Sequence, residues 1–268
     1  MHPIILFGKE IAINPVMISV GPFSVYWYGF FIVGSIVLSF LLAQKRITKK
    51  KCDFGITLDN IYDFIIGAVL ISILCARLYY VLFNLKYYLA NPSEILQIWN
   101  GGLAIYGGII GAIIYTIIFC RRKGIVFYDL ADLAAPYLAL SQSIGRWGNF
   151  VNQEAYGCAT NLPWKMGVFD IAIGDYIYVH PTFFYESICN FILFFILMKL
   201  SKNRKFKGQV FFSYMIGYGI IRSIVEGLRI DSLMMGNFRV SQILSLIFVA
   251  LFGIMYYRAE KCRTKDAM

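Results

Sequence analysis

The amino-acid sequence predicts an all-α polytopic membrane protein. Seven transmembrane helices are expected, with the N-terminus outside, the C-terminus inside and a small extracytoplasmic cap in the fourth-to-fifth span loop. Three observations predict it. Of 268 residues, 59% are hydrophobic and only 15% are charged, where a soluble domain would carry about a quarter. Apolar runs approach the ~20 residues that cross a bilayer. Lysine and arginine gather in alternate connections, which is the pattern that orients a helical bundle.

The expected spans are 24–43, 61–83, 103–120, 130–145, 183–198, 209–228 and 240–257, within one integral membrane domain over 1–268. The fourth is the weakest, because Asp132 and Pro136 interrupt its start. Seventeen of the 25 basic residues lie at 45–51, 121–123, 199–207 and in the tail from 258. These connections are therefore expected to be cytoplasmic. The net charge of +10 then reflects topology, and no basic soluble face suggests nucleic acid as a partner. Residues 1–22 hold Pro3, Pro15 and Pro22 and lack a basic segment followed by an apolar core, so no cleavable signal peptide is expected. The six cysteines show neither CxxC nor metal-ligand spacing, so neither structural disulfides nor a metal site is expected.

The basic residues that topology leaves over carry the functional signal. Lys9, Lys86 and Lys165 fall in outside loops, as solvated charges. Arg77, Arg146, Arg222, Arg229 and Arg239 all map to the outer membrane boundary. Tyr28, Tyr106, His180, Tyr185 and Glu186 map to the same level, with Glu154 and Glu226 nearby. A single arginine at an interface snorkels to headgroups. Five at one level predict a phosphate-binding site, because guanidinium grips phosphate bidentately.

Residues 145–182 form a connection of 38 residues, long enough to need structure or function of its own. Gly174-Asp175 between two apolar runs predicts a hairpin there. The segment is expected to cap the arginines. Gly145, Gly148 and Gly157 bracket a polar block with Arg146, Asn149, Asn152 and Glu154; glycines in such a block suit phosphate-binding turns. Arg222 and Glu226 stand one helical turn apart, so the carboxylate can hold the guanidinium in place. Gly107, Gly108, Gly111 and Ala112 make a small-residue packing stripe, with Tyr106 just before it. Trp27, Trp99, Trp147 and Trp164 read as interface anchors.

These residues resemble, along most of the chain, the prolipoprotein diacylglyceryl transferases of bacteria. The resemblance rests on Asn14-Pro15-Val16, Ile18 to Pro22, Trp27-Tyr28-Gly29, Ala76 to Val81 and Asn100 to Gly108. Its most specific stretch is Gly145-Arg146-Trp147-Gly148-Asn149-Phe150-Val151-Asn152-Gln153-Glu154, followed by His180-Pro181, Tyr185-Glu186, Arg222 and Glu226. The resemblance implies transfer of the diacylglyceryl group of phosphatidylglycerol to the lipobox cysteine of a prolipoprotein. A thioether forms and glycerol phosphate leaves, with no metal, nucleotide or other cofactor. Its implied partners are phosphatidylglycerol, the lipobox peptide and membrane lipids. The location expected from it is the bacterial cytoplasmic (inner) membrane, with the active site at the extracytoplasmic face.

On that resemblance the catalytic candidates are Tyr28, Tyr106, Glu154, Arg222 and Glu226. The substrate-binding candidates are Arg146, Asn149, Asn152, Gly157, His180, Tyr185 and Glu186. Tyr106 departs from the pattern, since many members carry a histidine there that is often proposed to activate the thiol. The base is then a perturbed Tyr106, or His180, or a carboxylate, or the arginine field suffices. An anion transporter is the competing class, but the charges gather at one face and not at the midplane. Other lipid-phosphate enzymes lack support, because neither a paired-aspartate motif nor a Gly-x-Ser-x-Gly elbow is present.

Overall fold

A computed structural model describes residues 3–6, 8–21, 23–49, 54–236 and 238–266. Pro22, Lys50, Lys51 and Cys52 lie outside the described residues. The chain divides into two compact units, one of residues 1–43 with 131–268 and one of residues 44–130.

Seven long helices coincide with the expected spans: α1 (Trp27–Thr48), α2 (Leu58–Phe83), α4 (Ile105–Lys123), α5 (Phe127–Asn152), α6 (Thr182–Lys202), α7 (Gln209–Leu228) and α8 (Val240–Asp266), with a short α3 (Leu85–Ala90) after α2. Among the described residues, α1, α2, α4, α6 and α8 are long and apolar enough to cross a membrane. The other two, α5 and α7, carry Arg146, Arg222 and Glu226 of the candidate site. Large apolar side chains stay exposed along the five, among them Val33, Ile66, Leu74, Ile113, Phe195 and Ile254, as lipid-facing surfaces require.

The 44–130 unit is held by α2 against α4. The glycine stripe does what its spacing predicts. A Cβ on Gly107 would meet the Cys75 carbonyl at 2.5 Å, and one on Gly111 would meet the Cys75 side chain. Absence of side chains thus lets the two backbones approach. Thr57 caps α2, its Oγ1 accepting the Asn60 N–H at 3.3 Å. At the same end of the pair, away from the glycine contact, Lys123 reaches Asp63 at 2.7 Å.

In the larger unit, small polar residues tie the helices. Ser39 of α1 meets Ser141 of α5 at 2.9 Å. Ser143 of α5 and Ser187 of α6 each donate to the other's carbonyl at 2.8 Å. Asp132, whose charge weakened the fourth span, is fully buried and serves as a remote cap for α7. Its carboxylate accepts the N–H groups of Gly208 and Phe211 at 2.7 and 2.8 Å, and pairs with Arg204 at 3.0 Å. A helix N-terminus carries unsatisfied N–H groups and partial positive charge, so a carboxylate is stabilised there.

Strands complete this unit. β1 (Ile4–Leu6), β2 (Lys9–Ile11), β5 (Met166–Asp170) and β6 (Asp175–Val179) form an antiparallel sheet in the order β2-β1-β5-β6. The β5–β6 hairpin is the one that Gly174-Asp175 predicts, and Gly174 adopts the left-handed conformation its turn needs (φ 71°). The N-terminal strands were not expected. β1 is three residues long and pairs with β5 across more than 150 positions, so no local pattern announces it. Ile4, Met166, Val168 and Val179 pack on Phe150 and Val151 of α5 and Phe183 of α6. Two further hairpins are β3 (Val16–Val20) with β4 (Phe23–Tyr26), and β7 (Met234–Met235) with β8 (Phe238–Arg239).

One boundary differs from the expectation. The polar block does not begin the loop: α5 continues to Asn152, so Gly145 to Asn152 are helical. Gly145 and Gly148 therefore make no phosphate-binding turn. They face α1, where a Cβ on Gly148 would meet the Tyr28 ring at 2.6 Å and one on Gly145 would meet Ile32 at 3.3 Å.

Candidate active site

Three helix ends meet beside the sheet, and each contributes charge. From the last two turns of α5 come Arg146 and Asn149; from the first turns of α6 comes Glu186; from the last two turns of α7 come Arg222 and Glu226. Glu186 is 1% exposed and stands between both guanidinium groups. Its Oε1 accepts from Arg146 Nη2 at 2.7 Å, and its Oε2 from Arg222 Nη1 at 3.4 Å. Arg222 Nη2 also pairs with Glu226 Oε2 at 2.5 Å.

The chain extends the other way through Asn149, whose Oδ1 accepts from Arg146 at 3.2 Å and whose Nδ2 donates to Glu154 at 2.8 Å. Glu154, Asn149, Arg146, Glu186, Arg222 and Glu226 thus form one continuous polar chain across three helices. Two arginines balance two buried carboxylates within it. This matters because a buried charge is tolerated only when it is paired and hydrogen-bonded.

Glu154 differs from the other two carboxylates in having an amide as its partner and an exposed position. Gln153 and Ala155 on either side adopt left-handed backbone (φ 56° and 59°), which costs about 1–2 kcal/mol per residue away from glycine. That sharp exit from α5 folds Glu154 back, its N–H reaching the Asn149 carbonyl at 3.1 Å. Such strain recurs where a side chain must be held in a functional position.

Tyr28 flanks the group through its ring on Gly148. Gly157 is buried where its N–H donates to the His180 carbonyl at 2.9 Å, and a Cβ there would meet His180 at 2.7 Å. It is a close-packing position between the loop and α6. His180 and Tyr185 form a separate chain: His180 Nδ1 lies 3.2 Å from the Tyr185 hydroxyl, which accepts from Trp164 at 2.7 Å. Asn152 ends α5 and shows no side-chain hydrogen bond among the described residues. Tyr106 belongs to the 44–130 unit, exposed in the first turn of α4.

The five arginines differ in their partners. Among the described residues, Arg146 and Arg222 share the polar chain. Arg239 donates to the Glu226 carbonyl and so caps α7. Arg229 makes a bidentate pair with Asp231 at 2.9 and 2.7 Å. That pair holds the Asp231 carboxyl below its ordinary range, chiefly through the hydrogen bond. Arg77, in the 44–130 unit, is buried and gives its hydrogen bonds to backbone carbonyls. The sequence-derived topology expects all five at one level but cannot say which partners each side chain takes.

Tyr218 escaped the sequence reading. It stands half-buried on α7 with Arg146, Arg222 and Glu186 as electrostatic neighbours. Its position four residues before Arg222 was an available signal, since such residues share a helix face. Trp164 was read as an anchor alone, yet it orients Tyr185.

The family model described as prolipoprotein diacylglyceryl transferase matches residues 15–258. The chain is 45% identical over 256 residues to the phosphatidylglycerol–prolipoprotein diacylglyceryl transferase of Listeria monocytogenes, covering 93% of this chain and 91% of that protein. To the protein of the same name from Bacillus cereus it is 45% identical over 267 residues, covering 97% of each. With the signature block seated on the helix that supplies Arg146, the chain belongs to the prolipoprotein diacylglyceryl transferase family.

Proposed function

We propose that this protein transfers the diacylglyceryl group of phosphatidylglycerol to the lipobox cysteine thiol of a prolipoprotein, the first step of bacterial lipoprotein maturation. The observation that carries this reading is the Arg146–Glu186–Arg222–Glu226 chain in a family member of nearly full-length match. The thiol sulfur attacks the glycerol carbon next to the phosphate. A C–S bond forms, the C–O bond breaks, and glycerol phosphate departs with the bonding electrons. The thiol proton passes to a base.

Arg146 grips the phosphate, with Asn149 fixing its plane. Arg222, held by Glu186 and Glu226, faces the oxygen on which charge develops. Both are locked before substrate arrives, and donors preorganised in this way act on the transition state without reorganising. Tyr28, Asn152, Gly157, His180 and Tyr185 shape the surrounding site. A free thiol is only ~3% ionised at pH 7. Glu154 is the carboxylate of the chain without an arginine partner, and it is the group proposed to take the proton. His180 is committed to Tyr185, and Tyr106 is retained as a second candidate base.

The protein is proposed to lie in the bacterial cytoplasmic membrane with seven spans, α5 and α7 included. The N-terminus is outside, and 145–182 caps the site at the extracytoplasmic face. The Gly145–Asn152 turns of α5 form the base of that cap and its sheet the rest. Phosphatidylglycerol, the lipobox peptide and surrounding lipids are its partners, and nucleic acid is not.

The test is mass spectrometry of a lipobox peptide incubated with the protein and phosphatidylglycerol in detergent. One diacylglyceryl mass is expected on cysteine, and Arg146→Ala is expected to abolish it. An unmodified peptide with folded wild-type protein would sink the reading.

A further inference from the structure

The segment leading into β3, the start of α1 and the end of α5 enclose an apolar groove of about 570 Å³. That is within the ~300–1,000 Å³ of ligand pockets. One wall is the extended segment that carries Ile13 and Met17, and the other is Trp27 and Phe31 of α1 with Trp147 and Phe150 of α5. All belong to the larger unit. The walls are fixed in place. The Trp27 N–H donates to the Pro15 carbonyl at 3.0 Å, and Asn14 Oδ1 accepts the Val16 N–H at 3.0 Å. Phe150 is buried, its ring stacked on Phe183 at 4.8 Å. Met17 falls where the β3–β4 register slips between Val16 and Ile18, and such bulges re-aim a side chain.

The groove adjoins the polar chain. Trp147 follows Arg146 on α5, and Trp27 precedes Tyr28, whose ring meets Gly148. Phe150 stands one turn beyond Arg146, about 6 Å along the helix axis. An extended peptide advances about 3.3 Å per residue, so a side chain seated in the groove leaves a nearby cysteine within reach of Asn149 and Glu154.

Apolar walls fit an acyl chain or a peptide, and two observations favour the peptide. Transfer needs both substrates bound at once, and the chains of a phospholipid gripped by Arg146 run from its phosphate into the bilayer. In the proposed orientation Phe150 lies on the other, extracytoplasmic side of that grip. Among the described residues β3 pairs with β4 alone, so its second edge offers backbone groups that an extended peptide satisfies and an acyl chain does not. Secretory precursors carry an apolar segment and small residues ahead of the processed position.

Resting on the transfer reading for the identity of the substrate, we infer that this groove is the specificity pocket for the prolipoprotein. It takes the apolar side chains just ahead of the acceptor cysteine, selects which peptides are modified, and sets the thiol beside the polar chain.

Photo-crosslinking of the full-length protein in detergent tests it. The probe is a lipobox peptide with a diazirine analogue of leucine just ahead of the cysteine, and adducts are located by mass spectrometry. They are expected on residues 12–17, 27–31 and 147–151, and should persist in Arg146→Ala, because the groove does not use the phosphate grip. Ala12→Trp fills the groove from an exposed position, and Met17→Ala cuts back its wall. Each should lower adduct yield and raise the peptide KM about tenfold, the effect of losing burial of one apolar side chain. The KM for phosphatidylglycerol should hold, and matched melting temperatures show that both variants fold. Adducts elsewhere, or yields indifferent to both substitutions, would overturn the groove. So would loss of adducts on adding phosphatidylglycerol alone, which would show an acyl chain there. Groove adducts on a peptide that is never modified would overturn the transfer reading and leave the groove standing. A modified peptide without groove adducts would do the reverse.

Discussion

Glu186 is the residue on which the polar chain turns, because its carboxylate pairs with both arginines. Replacing it with alanine removes a buried carboxylate partner from two half-buried guanidinium groups, a change that costs up to about 3 kcal/mol. Thermal unfolding in detergent should show that loss, with transfer activity gone as well. Glu154→Gln should behave differently. Stability should barely change, while the rate at neutral pH falls and recovers as pH rises towards the thiol's ordinary ~8.5, where substrate ionises unaided. A rate deficit unchanged across that range would remove Glu154 as the base, and Tyr106→Phe would then be the variant to compare. The arginines, glutamates and asparagine of this site were legible as residue types, because charge next to a bilayer is costly enough to be conspicuous. Their partners were not. The difference between Arg146 in the chain and Arg229 on Asp231 is a matter of side-chain direction, which linear order does not encode.

At the level of elements, glycines set the distances. Gly148 admits the Tyr28 ring, so Gly148→Ala should press α1 away from α5 at a cost of about 1–3 kcal/mol. The expected signature is a lowered melting temperature with a raised KM, since Tyr28 borders the site. A variant with wild-type melting and kinetics would show the contact to be idle. The Arg229–Asp231 pair beyond α7 titrates in a defined direction. Its carboxyl is depressed in the folded state, so its contribution is present above the unfolded value near ~3.9 and is lost as pH falls through the lower folded value. Asp231→Asn should therefore lower stability at neutral pH and flatten the acid limb, the variant and the wild type converging at low pH. The long helices, the hairpin and the α2–α4 glycine stripe were readable because each is a local pattern. The β1–β5 pairing and the extension of α5 to Asn152 were not, since tertiary packing on α1 and on the sheet stabilises them.

For the molecule as a whole, orientation is the property to measure. Cys158 and Cys262 are both exposed, and the proposed topology puts them on opposite sides. With the other cysteines replaced, a membrane-impermeant thiol reagent should label Cys158 in intact cells and Cys262 only after permeabilisation. The reverse pattern would invert the bundle and place the site at the cytoplasmic face. The sequence by itself determined that the chain is helical and apolar enough for a bilayer, which positions hold charge, and which family it resembles. Those are properties of composition and local order, fixed by the cost of taking backbone and charge out of water. Only the tertiary structure decided which charges neutralise each other, which glycines are for packing, and that Arg77 has its own carbonyl cradle. Pairing of buried charges depends on which helix faces meet, and that is settled by packing between segments far apart in the chain.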